Sequence, residues 1–178
     1  MSANDLTGRQ MAPTDISPLG TPWRCFEDLA VGEKRSSATR TVTEEEIVTF
    51  ARSYDPQWFH TDPEAARASV FGQVVASGIH VLAMWRQLDH TINSDIDFVC
   101  GVGWEHLRMK RAVRAGDTIR VTSEIIGLEP SRSGKERGTA TTRYAVLLED
   151  GTECVTFESI NLVYTREGRN RASASPSA

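Results

Sequence analysis

The stretch SGIHVLAMWRQLDHTI, residues 77–92, decides the fold. Its first half is apolar nearly all round, and polar side chains appear only from Arg86 onward. A helix that is apolar on every side is buried in a protein core. Its apolar run, residues 78–85, is much shorter than the roughly 20 residues that span a bilayer. The sequence therefore predicts a long buried helix and no interaction with a membrane.

Segments on both sides of this helix alternate between polar and apolar residues or are rich in β-branched residues, as strands are. One lies near residues 34–42, and four follow the helix: GWEHLRMKRAV, DTIRVTSEII, GTATTRYAVLLED and TECVTFESINLVYTR. EDGT, residues 149–152, predicts a hairpin turn, and EPSRSGKERG, residues 129–138, predicts a longer loop. The simplest packing for this order is an antiparallel five-stranded sheet wrapped around the helix, an α+β fold.

The composition indicates one globular domain. A chain of 178 residues that is 39% hydrophobic can bury one ordinary core. We predict a domain over residues 23–167, with mobile tails at 1–22 and 168–178 because those ends are small and polar. A net charge of −4 without a segment dense in Lys and Arg argues against a nucleic-acid partner. Three cysteines at unrelated spacings and no signal-peptide pattern predict a cytoplasmic protein.

The stretch YDPQWFHTDPEAA, residues 54–66, places an acid and an imidazole at the end of a predicted helix. Pro56 disfavours a helical conformation at Asp55, so the helix should end there. We expect Asp55 and His60 to lie on a non-helical bridge that directs both into one cleft, with Trp58 and Phe59 as apolar walls. A carboxylate beside an imidazole can hold and polarise a water molecule.

These residues also have a structural interpretation. Asp55 could cap the following turn and His60 could bond to a local carbonyl, since a D-x4-H spacing is common by chance. Ser77 and Gly78 favour a functional site, because they place free N–H groups and the positive end of a helix dipole where a carbonyl oxygen gaining negative charge would be stabilised. Their own structural interpretation is an N-cap and close packing.

Three segments together resemble the MaoC-like acyl dehydratases, relatives of the (R)-specific enoyl-CoA hydratases with the hot-dog fold. They are FARSYDPQWFHTDPEAARASVFGQVVASGIHVLAMWRQLD, GVGWEHLRMKRAVRAGDTIRV and EPSRSGKERG. The resemblance covers about residues 26–166. It implies that Asp55 and His60 hold the catalytic water and that the backbone N–H of Gly78 binds the thioester carbonyl. The chain departs from the family pattern at Gln57 and Trp58, where Asn-Pro is common, and at Ser77, where histidine is common.

The resemblance implies a hydro-lyase that hydrates a trans-2-enoyl thioester, on coenzyme A or an acyl-carrier protein, to the (R)-3-hydroxyacyl thioester, or the reverse. We expect a homodimer with the site near the subunit boundary, and no metal or redox cofactor. Two alternatives stay open, a hot-dog thioesterase and a non-catalytic subunit that binds acyl thioesters. Against the thioesterase, Asp89 is about three helical turns from Gly78. His80, His90 and His106 lack metal-ligand spacing.

A basic cluster in the predicted loop gives a first testable prediction. Arg132, Lys135 and Arg137 either face solvent or contact the nucleotide phosphates of a CoA substrate. If they contact phosphates, replacing all three with alanine should raise KM for a CoA thioester in a salt-sensitive way and leave kcat nearly unchanged. Steady-state kinetics at two ionic strengths measures both, and an unchanged KM would assign the cluster to a solvated surface.

Overall fold

The computed structural model describes residues 22–131 and 136–174. Its strands are β1 (Lys34–Ser36), β2 (Arg40–Thr41), β3 (Phe98–Met109), β4 (Thr118–Pro130), β5 (Arg137–Leu148) and β6 (Glu153–Tyr164). Its helices are α1 (Glu44–Tyr54), α2 (Trp58–Thr61), α3 (Pro63–Ala66), α4 (Gly78–Asn93) and α5 (Arg166–Ala174), with a short 3-10 turn at Phe26–Asp28. The predicted order of a strand, helices and four strands is confirmed.

The strands form one antiparallel sheet in the order β1-β4-β5-β6-β3, with β2 also paired to β4. The sheet has six strands instead of the predicted five because the first strand is split. At Ser37 the backbone N–H still donates to the Val121 carbonyl, but the Ser37 hydroxyl, not a backbone carbonyl, accepts from the Val121 N–H. This side-chain substitution interrupts the ladder between β1 and β2.

Helix α4 is buried against the inner face of the sheet, as its sequence predicts. Its side chains join those of β4, β5 and β6 in one apolar core. The Trp85 ring packs edge-on against Tyr144 and Phe157, with centroids 5.0 and 4.7 Å away. Fully burying side chains of this size stabilises the fold by roughly 1.5–3 kcal/mol each. The predicted α+β class, with a sheet wrapped around a long helix, is confirmed.

The C-terminal end differs from the prediction. A tail was expected from residue 168, whereas the chain is helical as far as Ala174. The hydroxyl of Thr165 accepts from the Gly168 N–H at 3.1 Å, which caps the start of α5. Arg169 then lies 3.4 Å from the Asp97 carboxylate. Composition missed this helix because its cap and ion pair are local features within a polar segment.

Two other regions bear on the sequence predictions. The predicted loop at 129–138 is shorter, because β4 continues to Pro130 and β5 begins at Arg137. Arg132 and Lys135 lie outside the described residues, as do residues 1–21 and 175–178. Within the described ranges, none of the helices is both long and apolar enough to cross a membrane.

Strand β3 forms one edge of the sheet, and most of its twelve residues are exposed. Val102 and Trp104 project large apolar side chains that are half-exposed. His106 adopts a φ of 54° where the register with β6 shifts, which marks a bulge in the strand. An edge of this length leaves backbone donors and acceptors available for pairing with another chain.

Candidate active site

Asp55 lies where helix α1 ends. The helix begins at a reciprocal cap, in which Thr43 accepts from the Glu46 N–H at 3.2 Å and Glu46 accepts from the Thr43 N–H at 3.1 Å. The Asp55 N–H still donates to the Ala51 carbonyl at 2.9 Å. Its φ and ψ of −153° and 71° then take the chain out of the helix ahead of Pro56. The predicted end of α1 is confirmed.

His60 lies in a helical turn, which corrects the predicted non-helical bridge. Only residues 55–57 are non-helical, and α2 forms a single turn from Trp58 to Thr61. Asp62 ends this turn and caps the next one, since its carboxylate accepts from the N–H groups of Glu64 and Ala65, both at 3.0 Å. Asp62 is thus the N-cap of α3, with Pro63 in its first turn, and it follows His60 by two residues.

The two side chains face one another. His60 Nε2 lies 3.8 Å from Asp55 Oδ2, while His60 Nδ1 lies 2.6 Å from the Val75 carbonyl oxygen. Because a carbonyl oxygen can only accept, Nδ1 carries a hydrogen; in the neutral ring the lone pair is then on Nε2, the nitrogen that faces Asp55. A distance of 3.8 Å is too long for a direct hydrogen bond but suits one water molecule that donates to both atoms. The imidazole is buried, whereas 25% of the Asp55 side chain is exposed.

The local-carbonyl interpretation of His60 and the functional one are thus compatible, because each uses a different ring nitrogen. Gln57 adds a contact that the sequence analysis missed. Its side-chain amide donates to Asp55 Oδ1 at 3.0 Å, which leaves Oδ2 for His60. An amide two residues after an aspartate is a spacing at which such local bonds form, so the signal was present in the sequence.

The start of α4 is the second part of the site. The Ser77 hydroxyl accepts from the His80 N–H at 3.3 Å and caps the helix, and the first N–H groups of a helix have no intrahelical acceptor. A Cβ atom on Gly78 would lie only 3.0 Å from Met109 Cε. A Cβ atom at residue 78 would therefore require the flexible end of the Met109 side chain to move, and glycine avoids this crowding at the first turn of α4.

A short extended segment connects the two parts. Val75 receives the His60 hydrogen bond through its carbonyl, and its N–H lies 3.4 Å from the Phe59 carbonyl oxygen. The next residue, Ala76, donates to the Val113 carbonyl at 2.8 Å. Gly78 follows Val75 by three residues, a span of at most about 11 Å. The imidazole and the helix N-terminus therefore belong to one region of the molecule.

The predicted apolar walls differ in burial. Phe59 is partly buried and contacts the His60 ring at a centroid distance of 4.4 Å. On its other side it contacts Phe71, which the sequence analysis did not name, at 5.6 Å. Trp58 packs edge-on against Phe59 but is half-exposed. Phe59 therefore forms the apolar surface beside the imidazole, with Phe71 packed against Phe59, and Trp58 lies at its solvent side.

His80, two residues after Gly78, is a buried histidine. Its ring stacks on Phe50 with centroids 4.3 Å apart. Burial, and secondarily the charge of Arg40, lower the pKa of His80 to about 4. Arg40 itself is bound by Glu46 and Gln87. The imidazole is therefore neutral near pH 7.

One group of potential metal ligands occurs elsewhere among the described residues. Glu105, His106 and Glu158 place one ligand atom each within 4.8 Å of one another. Glu158 already pairs with Arg143 at 3.3 Å, and the group lies on β3 and β6, not on the segment that carries Asp55. It therefore takes no part in the arrangement around the imidazole.

Comparisons with known proteins identify the family of this chain. The family model for the MaoC like domain matches residues 27–148. The 3-hydroxyacyl-thioester dehydratase Z of Mycobacterium tuberculosis is 34% identical over 149 residues, which are 79% of this chain and 99% of that protein. The crystal structure of the MaoC-like dehydratase from Rhodospirillum rubrum has 34% identity and a TM-score of 0.73, and the match covers 81% of this chain and 99% of that one.

The fold is shared more widely. The (R)-hydratase from A. caviae has a TM-score of 0.63 at 24% identity, over 76% of this chain and 97% of that one. At this identity the likeness concerns the fold alone. The hot-dog fold expected from the sequence resemblance is confirmed.

The buried state of His80 generates a prediction on stability. Its pKa is about 4 in the fold and about 6.5 in an unfolded chain, so the unfolded chain binds the extra proton more readily. Above pH 6.5 the neutral His80 ring makes its full contribution to the free energy of unfolding. As the pH falls from 6.5 towards 4 this contribution is lost, and the free energy of unfolding decreases by at most about 1.4 kcal/mol per pH unit. Urea unfolding of the wild type and of His80→Gln across this range measures the effect, and equal slopes would contradict it.

Proposed function

The chain belongs to the MaoC-like dehydratase family, and from that premise we propose that it hydrates a trans-2-enoyl thioester to the (R)-3-hydroxyacyl thioester, or catalyses the reverse dehydration. The acyl group is carried on coenzyme A or an acyl-carrier protein. The observation that carries this proposal is the pair of Asp55 Oδ2 and His60 Nε2, 3.8 Å apart, with the other imidazole nitrogen bound to Val75.

In the hydration direction the pair holds a water molecule over the β-carbon. The water oxygen forms a bond to that carbon, and one proton of the water passes to one member of the pair. The electrons of the double bond move towards the α-carbon and the thioester oxygen. The proton taken up is then returned to the α-carbon with the help of the other member of the pair, so the product gains one water in total and the pair returns to its starting state.

The negative charge that develops on the thioester oxygen is stabilised at the start of α4. The Gly78 N–H and the helix dipole point towards the oxygen in this proposal. Loss of one such donor typically lowers the rate by about 10² to 10³. Each step uses groups of this chain, so the proposed reaction includes no metal or redox cofactor.

The state of Asp89 favours a hydro-lyase over a thioesterase. Its side chain is almost fully buried, and its two carboxylate oxygens accept hydrogen bonds from Arg86 at 2.8 Å and from Asn93 at 2.7 Å. A carboxylate held in this way, about three turns from Gly78, is not positioned to attack a thioester. Whether the chain is instead a non-catalytic subunit that binds acyl thioesters is tested by measuring its hydration activity.

The catalytic pair generates a prediction on activity. Asp55→Asn and His60→Ala should each remove most of the hydration activity, and the double variant should lose little more, because both groups act on one water in one step. Loss of absorbance of the conjugated double bond measures hydration, with crotonyl-CoA and longer or branched enoyl-CoAs as substrates.

An exposed residue serves as the control for these variants. Asp150→Asn changes the same residue type as Asp55→Asn, in the turn between β5 and β6 away from the pair, and should keep the wild-type rate. Wild-type rates in both site variants would disprove the catalytic assignment. Thiol release without hydration would identify a thioesterase, and acyl-CoA binding without turnover by the parent would identify a binding subunit.

We also propose a symmetric homodimer. The supporting observation is the long exposed edge of β3 with its apolar side chains at Val102 and Trp104, which a second copy of the chain can cover. The strand ends at Met109, which contacts Gly78, so a subunit boundary at β3 lies near the proposed site.

The dimer gives a further prediction. The wild type should sediment as a dimer at micromolar concentration, and Val102→Glu should shift it towards monomer, because the new charge would be buried in the contact. Val70→Glu is the matched control, since Val70 is almost fully exposed and lies outside the sheet. A monomeric wild type would contradict the proposal.

A further inference from the structure

A cleft of about 460 Å³ opens between α4 and the strands β3 and β6. On α4 its wall is formed by Trp85 and by Ile79, Leu82, Ala83 and Arg86, the last four of which share one face of the helix because they recur at intervals of three and four residues. On β3 it is lined by Gly101 and Trp104, so in the proposed dimer the cleft lies at the subunit boundary. Ile79 directly follows Gly78. The cleft therefore starts at the helix end to which the proposed function assigns the thioester carbonyl.

The α4 wall of the cleft is apolar at the start of the helix and polar farther along. It is apolar from Ile79 to Ala83 and ends at Arg86, opposite Ser159 and Asn161 of β6. A rise of roughly 1.5 Å per residue puts Arg86 about 12 Å from Gly78, the span of about eight to ten carbon–carbon bonds. A thioester bound at Gly78 can thus place a medium-length acyl chain along the apolar part and its far end at the polar part.

Arg86 is held in place by a buried network. Its Nη1 donates to Asp89 Oδ2 at 2.8 Å, and Asp89 Oδ1 accepts from Asn93 Nδ2 at 2.7 Å. The Asn93 amide also lies 3.3 Å from the Ser123 hydroxyl and 3.4 Å from the Tyr144 hydroxyl. The guanidinium is therefore fixed before any ligand arrives.

The same guanidinium keeps donors for a ligand. Half of the Arg86 side chain, 49%, is exposed, and within residues 22–131 and 136–174 its other N–H groups have no hydrogen-bond acceptor. Across the cleft, the Asn161 amide donates to the Ser159 hydroxyl at 3.1 Å, and both residues are buried. The far end of the cleft is polar on both walls.

We propose that this cleft binds the acyl group and that Arg86 selects chains whose far end carries an oxygen acceptor over plain alkyl chains of equal length. The inference rests on the proposed function and names its substrate class. An alkyl end would displace water from the Arg86 donors without replacing its hydrogen bonds, which should lower kcat/KM about tenfold. Because Asp89 balances the charge of Arg86, a hydroxyl or oxo oxygen is preferred to a carboxylate.

The test compares three trans-2-enoyl-CoA substrates with ten-carbon chains that end in a methyl group, a hydroxyl group or a carboxylate. The wild type should hydrate the hydroxyl substrate with a kcat/KM about tenfold above that of the methyl substrate. In Arg86→Met this ratio should fall to about one, because the donors are gone. The ratio is the readout, since a general loss of stability lowers both rates together.

Two variants keep the result interpretable. Arg86→Met leaves the buried Asp89 carboxylate without its cation, so the double variant Arg86→Met, Asp89→Asn removes that unpaired charge and should show the same low ratio. Arg143→Met is the matched control, because Arg143 is also about half-exposed, at 56%, and paired with a carboxylate, but lies on the solvent face of the sheet. It should keep the wild-type ratio.

The outcomes separate the two proposals. Selection by Arg86 would be overturned if the wild type hydrated the methyl and hydroxyl substrates with equal kcat/KM. It would also be overturned if both Arg86 variants kept the wild-type ratio. Either result would leave the hydration activity established. A preference for the carboxylate over the hydroxyl would overturn the neutral-oxygen preference. If the wild type hydrates none of the three substrates nor crotonyl-CoA, the proposed function fails and this inference fails with it.

Discussion

Helix α4 needs an apolar environment on nearly every side of its first turns, and the rest of the molecule is arranged to meet this need. The sheet covers it with alternating inward side chains from β4, β5 and β6. Burial of the helix also fixes where it starts, because the chain reaches it through an extended segment that is hydrogen-bonded to Phe59 and Val113. The open N–H groups at Gly78 and the carbonyl that orients His60 lie on that same segment. The packing of one helix thus sets the geometry of the proposed site.

The same helix passes from apolar to polar surroundings along its length. Its last turns carry Asp89 and Asn93 into the interior, where they meet Tyr144, and burial raises the pKa of the Tyr144 hydroxyl well above its usual range. Buried polar groups are tolerated when each finds a partner, and here they bond mostly to one another. Such a network costs more to assemble than an apolar core of the same size. It lies beneath the end of the cleft, which is consistent with a role in recognition.

What could be predicted from the sequence depended on local rules. The break before Pro56 follows from a few neighbouring residues, so the end of α1 was placed correctly. Contacts between distant segments were beyond such rules. The bond from His60 to Val75 joins residues fifteen apart, and the cleft beside Arg86 exists only once three elements have packed. The turn at α2 was missed because Trp58 and Phe59 have no strong preference for a helix.

The carbonyl of Val75 has a consequence for how protons move in the proposed reaction. Nδ1 of the His60 imidazole is bound to the Val75 carbonyl. The ring can therefore exchange a proton with the substrate only through Nε2. It can store a proton but cannot relay one to the other side of the ring. A proton taken up at Nε2 has to leave from Nε2, towards the substrate or towards solvent in the cleft. Under the proposed chemistry, isotope exchange with bulk water therefore competes at one atom, Nε2, with return of the proton to the substrate.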